Sequence, residues 1–223
     1  MAIYSIVLTY PIDCAAATKP HVIAFGKWIT VQTYSDAAPA KPLSLKIRAL
    51  LVDDRVREYV LGPPHEVTDR LFVVRRVFRL NDILPEESGA PRWQWQHGGW
   101  LLVDRMTGRV SPISLPEFEA SFSDASWYRD IVAYCGVSDD GKKVDAIVAQ
   151  LGRRKPLLKK LLSEVPSEDA SVDSVCREPS WQRAPMRVSF EPVVGAKQTF
   201  AIRGHAVDLI NDAEENDGEG GSK

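Results

Sequence analysis

Trp93, Trp95 and Trp100 fall within eight positions, with Gln94, Gln96 and His97 between them. An indole plane flanked by amides suits stacking against a sugar ring, so Trp93, Trp95, His97 and Trp100 form the ligand-binding set read from the sequence. A structural reading competes with it and is the stronger one. Large aromatics usually bury in a domain of this size, with each indole N–H finding an acceptor.

Other chemistry finds less support. The histidines His21, His65, His97 and His205 make no close-spaced ligand pair, and the chain has no Cys-x-x-Cys. No metal and no cofactor are therefore expected. The nucleophile signatures G-x-S-x-G and a catalytic Ser-x-x-Lys are missing. Acidic residues such as Asp104, Glu117, Glu119, Asp124 and Asp130 are plentiful. A glycosidase pair depends on their separation in space, which a sequence does not give. Gly136 to Lys142 has the glycine and lysine spacing of a phosphate loop, but Lys143 stands where Ser or Thr would hold magnesium. Asp139 and Asp140 would repel phosphate, and VDAIVAQ after them is strand-forming, so the segment reads as a hairpin turn. The stretch Lys142–Lys160 carries seven basic residues opposed only by Asp145. It reads as a solvated face, and with no interleaved aromatics it gives no nucleic-acid surface.

Cys135 and Cys176 lie 41 positions apart and form the candidate disulfide. An even pair remains if Cys14 leaves with a processed N-terminus, which suits a periplasmic or extracellular setting. The alternative is a cytoplasmic chain with three reduced thiols. Residues 1–19 contain the apolar run Ile3 to Leu8 and Ala15-Ala16-Ala17, but no basic residue precedes Ile3. An export signal and a disordered or β-pairing terminus are both open.

Around these residues the elements are mostly strands. Segments 21–34, 43–47, 57–61, 71–80, 92–96, 100–103, 109–115, 131–137, 144–151, 186–190 and 198–202 are β-branched, aromatic or alternating. Asp53-Asp54, Gly98-Gly99, Asp104 to Gly108 and Ser138 to Lys142 read as turns, and Gly62-Pro63-Pro64 as a strand stop. Pro116 could open one helical turn through Phe118. Residues 156–164 stay open between helix and strand, because Leu157, Leu158, Leu161 and Leu162 have helical spacing.

Trp100 to Val110 (WLLVDRMTGRV) and Ile131 to Val148 (IVAYCGVSDDGKKVDAIV) resemble strand pairs of β-propeller proteins. Together they cover under a fifth of the chain, and no repeat of about 40–50 residues accompanies them. The resemblance implies propeller-like local geometry and no particular activity.

The expected fold is all-β, an antiparallel meander of hairpins with propeller-like geometry, or else a β-sandwich or barrel, with at most one or two short helices. Residues 20–210 form one β domain, and the acidic, Gly-rich segment 211–223 forms a disordered tail. Net charge is -2 and no apolar run reaches transmembrane length. The expected role is a non-enzymatic binding or structural module whose partner is a carbohydrate or a protein. The alternative is a carbohydrate-active enzyme or carbohydrate-binding domain using the Trp93–Trp100 region.

Overall fold

Short polar turns set the topology, and antiparallel strands run between them. The computed structural model describes residues 20–34, 42–83, 89–165, 175–203 and 206–210. The segments 1–19 and 211–223, with Cys14 and His205, lie outside the described residues.

The first sheet holds β1 (Ile23–Phe25), β2 (Ile29–Tyr34), β3 (Pro42–Val52), β4 (Arg55–Glu66), β5 (Leu71–Asn81), β6 (Trp93–Asp104) and β7 (Arg109–Ile113). Its order is β1-β3-β4-β5-β6-β7, and β2 also pairs with β3. β1 and β2 follow one another along a single edge of β3, Phe25 facing Leu50 and Ile29 facing Ile47. Asp53 and Asp54 both take positive φ, 51° and 61°, and so turn β3 into β4. That geometry matches the twist of the flanking strands. Between β6 and β7 the φ of 61° at Gly108 closes the turn, and Asp104 Oδ1 accepts the Met106 N–H at 2.9 Å. Leu50, Val60, Phe72, Val74, Leu101 and Val103 form this sheet's own apolar cluster.

The second sheet holds β8 (Ala125–Tyr128), β9 (Ile131–Val137), β10 (Lys143–Gln150) and β11 (Leu158–Glu164), in the order β11-β10-β9-β8. The third holds β12 (Ser180–Gln182), β13 (Arg187–Phe190), β14 (Gln198–Arg203) and β15 (Ala206–Ile210), paired in sequence. Ala133, Cys135, Val144, Ala146 and Val148 pack against Val188, Phe190, Phe200 and Ile202 of the third sheet. The opposite side chains of the second sheet, Val132, Tyr134, Ile147 and Ala149, pack with Trp100, Leu115, Phe118 and Trp127. A sheet covered on both faces needs apolar residues at consecutive positions, which is why β9 and β10 lack polar alternation.

The chain is all-β and antiparallel, as its sequence patterning implies, and no helix occurs among the described residues. The two propeller-like segments are hairpins of different sheets, β6–β7 and β9–β10. Ser138 to Lys142 is the expected turn: Gly141 has φ 70°, and its N–H donates to the Ser138 carbonyl at 2.7 Å. Residues 158–164 form strand β11, and Pro116 opens a turn rather than a helix.

Two expected breaks are bulges instead. β4 runs through Gly62-Pro63-Pro64 to Glu66, with a register shift between Leu61 and His65. The positive φ of Gly62 and the missing proline N–H groups sit where the ladder is already interrupted. Gly98-Gly99 likewise lies inside β6, opposite a register shift between Arg75 and Val77. A side chain at Gly98 would press on Arg76 and Phe78 of the neighbouring strand.

Candidate functional site

All four residues of the sequence-derived binding set lie on β6, and the strand spreads them apart. Trp93 pairs with Asn81, Trp95 with Arg79, His97 with Val77 and Trp100 with Arg75. Seven residues of strand separate Trp93 from Trp100 by ~23 Å, so the indoles form two environments rather than one platform.

At the first end Trp93 is 54% exposed. The Arg79 guanidinium lies 5.1 Å from its ring centre and 5.6 Å from that of Trp95. A cation placed this way is attracted by both rings and fixes the indole planes. Trp95 is half-buried, set edge-on to Tyr59 at 5.1 Å. Its carbonyl accepts the Thr33 hydroxyl at 2.5 Å, which draws β2 against β6. Neighbouring polar groups are tied to one another. Asn81 Oδ1 accepts the Arg92 N–H at 3.0 Å, and Gln94 Nε2 donates to Asp82 Oδ2 at 2.5 Å. This end presents an indole face that can stack against a flat ligand.

At the other end Trp100 and His97 border a buried arginine. Arg75 is 7% exposed. Its Nη1 donates to Asp124 Oδ1, and its Nη2 donates to the carbonyls of Ala120 at 2.9 Å and Ser123 at 3.2 Å. Trp100 meets Trp127 edge to face at 5.5 Å. The indole N–H groups of Trp100 and Trp127 and Nε2 of His97 are buried without a hydrogen-bond partner among the described residues. Burial, and then the Arg75 charge, lower the His97 pKa. Desolvation, and then the Asp124 charge, raise the Glu178 carboxyl above the usual range. Asp124 and Glu178 thus interact around one guanidinium. Sequence reading missed this cluster; its one signal was the Arg75-Arg76 pair set between the apolar residues Leu71–Val74 and Val77-Phe78.

Cys135 and Cys176 are joined, with Cα atoms 6.1 Å apart. The described histidines, His21, His65 and His97, stay dispersed. His21 Nδ1 donates to Asp53 Oδ2 at 2.6 Å, and His65 Nε2 donates to the Arg129 carbonyl at 2.8 Å. Among the described residues no cluster of His, Cys, Asp and Glu could hold a metal ion. Nor is any described helix long and apolar enough to cross a membrane. Within the basic stretch, Lys159 is engaged by Glu117 and, at 3.6 Å, by Asp145.

No protein-family model, no curated protein and no solved structure matches the chain.

Proposed function

We propose that the chain is a non-enzymatic β-rich binding module that presents the Trp93 indole to its ligand. The observation that carries this reading is the separation of the exposed indole from the Asp124–Glu178 pair. Glycoside hydrolysis needs a sugar-stacking surface and two carboxylates about the same bond. Here Arg75, whose guanidinium organises the carboxylates, pairs on β5 with Trp100, and Trp100 lies ~23 Å from Trp93 along β6. Exposed Trp and neighbouring Arg and Tyr side chains are the residue types that dominate binding energy at recognition surfaces. The bonded cysteines support work in an oxidising compartment.

A carbohydrate ligand is the second reading, favoured by the exposed Trp93 indole, whose face suits stacking on a sugar ring. The test pairs a glycan array and a protein-partner capture assay with hydrolysis assays on the same glycans. The expected result is a retained ligand, no bond cleavage, and loss of retention in Trp93→Ala with an unchanged Tm. Cleavage of a retained glycan would favour the enzyme, and undiminished retention by Trp93→Ala would remove the indole surface.

A further inference from the structure

A second site lies away from Trp93, in a cleft of about 220 Å³ between β7 and the ends of β9 and β10. Leu102, Ile113, Leu115, Val132 and Leu151 supply its apolar wall, and Arg153 and Arg154 stand in its lining beside them. The turn carrying the arginines is fixed by backbone bonds. The Leu151 N–H donates to the Asp130 carbonyl at 2.9 Å and the Arg153 N–H to the Gln150 carbonyl at 3.1 Å. Gly152, at φ 78°, makes the turn possible.

The polar groups of this cleft are incomplete. Neither Arg153 nor Arg154 forms an ion pair with a described residue. The nearby Asp130 carboxylate is engaged by Gln150 Nε2 at 2.8 Å. Gln150 also lines the cleft, and its Oε1 is buried with no donor among the described residues. The site therefore offers two cations seeking an anion, one acceptor seeking an N–H, and an apolar wall. Guanidinium groups bind carboxylates in a planar, two-pronged geometry.

A peptide ending in an apolar residue supplies all three complements at once: a terminal carboxylate, a backbone N–H and an apolar side chain. We propose that this cleft binds the C-terminal residue of a partner chain, apolar in side chain and free at its carboxylate. β7 is the last strand of its sheet. The residues preceding the terminal one can lie along its outer edge, although Pro112 withholds one donor there.

The test uses the whole protein and N-acetylated hexapeptides ending in Leu, Ile, Val or Phe, each as free acid and as amide, measured by calorimetry. Methyl NMR shifts of Ile113, Leu115 and Leu151 locate the site. The expected result is saturable binding of at least one free acid, at least tenfold weaker for its amide and for the same peptide ending in Asp. Arg153→Glu with Arg154→Glu should weaken the free acid at least tenfold and leave the amide unchanged. Both residues are exposed, so the variant keeps the fold, which an unchanged Tm verifies. No binding of any free acid at millimolar concentration overturns the proposal. Equal binding of acid and amide, or shifts confined to the Trp93 surface, does the same.

Discussion

Phe190 and Phe200 meet edge to face at 5.8 Å inside the core shared by the second and third sheets, and both rings are fully buried. In the first sheet the rings more often meet arginine. Arg48 lies 4.0 Å from the Phe25 ring centre and 4.4 Å from that of Trp28, Arg79 joins Trp93 to Trp95, and Arg105 covers Phe72 at 4.5 Å. The stacked sheets derive stability from apolar burial and a covalent link. The first sheet spends part of its aromatic surface on exposed or half-exposed rings that cations hold in place. The rings of Trp28, Trp93 and Trp95 are thus ordered without being consumed by a core, the condition a recognition surface needs.

The largest expected effect tests that contrast directly. Phe200→Ala should cost about 3–5 kcal/mol by emptying a packed core, measured by denaturant unfolding. Arg79→Ala, at an exposed cation–π site, should cost about 1 kcal/mol or less. Comparable losses would erase the distinction between the two regions.

Next in size is the covalent link. Replacing Cys135 and Cys176 together by Ala should cost roughly 4 kcal/mol for a loop of 41 residues in the chain-entropy model. Reductant added to the unaltered protein should move the unfolding midpoint by a similar amount. An unmoved midpoint would show that apolar packing alone holds the second and third sheets together.

Arg75 ties the two regions to each other. Arg75→Met would leave the Ala120 and Ser123 carbonyls without their donor and should cost roughly 2–3 kcal/mol. Exchange of the Arg75-facing amides should quicken most in residues 120–124, where a uniform increase would place the effect elsewhere.

The smallest expected effect is a pH dependence at the same joint. Burial and the Arg75 charge hold His97 below its ordinary value, and Asp124 opposes them weakly. As pH falls below about 6.5, the unfolded chain takes up the proton first. The His97 contribution is therefore complete above that pH and is lost as pH falls towards the lowered value. The raised Glu178 carboxyl acts with the opposite sign, its contribution being lost as pH rises through its folded-state value. The informative quantity is thus the difference between the protein and His97→Gln, unfolded at pH 7.5, 6.5 and 5.5. The variant should show the shallower loss on acidification, and identical slopes would detach His97 from the joint.

Much of the fold was legible where chemistry is local. Asp53-Asp54, Asp104 to Gly108 and Ser138 to Lys142 specify turns by their own backbone preferences and side-chain bonds. Residues 156–164 were ambiguous, because an edge strand with Leu161 half exposed and Leu162 buried can carry leucines at helical spacing. Gly62-Pro63-Pro64 and Gly98-Gly99 resembled stops because a bulge differs from a turn only in what the partner strand does. The same limit governs the sites. Nothing near Trp93 or Trp100 in the chain distinguishes the exposed indole from the one packed on Trp127. Arg75 finds its partners 45–49 positions away. Exposure and long-range pairing follow from how sheets stack, and no short window contains that.

The Cys135–Cys176 bond also makes part of the chain redundant for covalent continuity. Everything between the two sulfurs, including the exposed turn with Lys142 and Lys143, lies inside a closed ring. A single tryptic cut after Lys142 would open that ring without releasing a fragment. The nicked protein would run as one species without reductant and as two with it, both pieces still carrying strands of the second sheet.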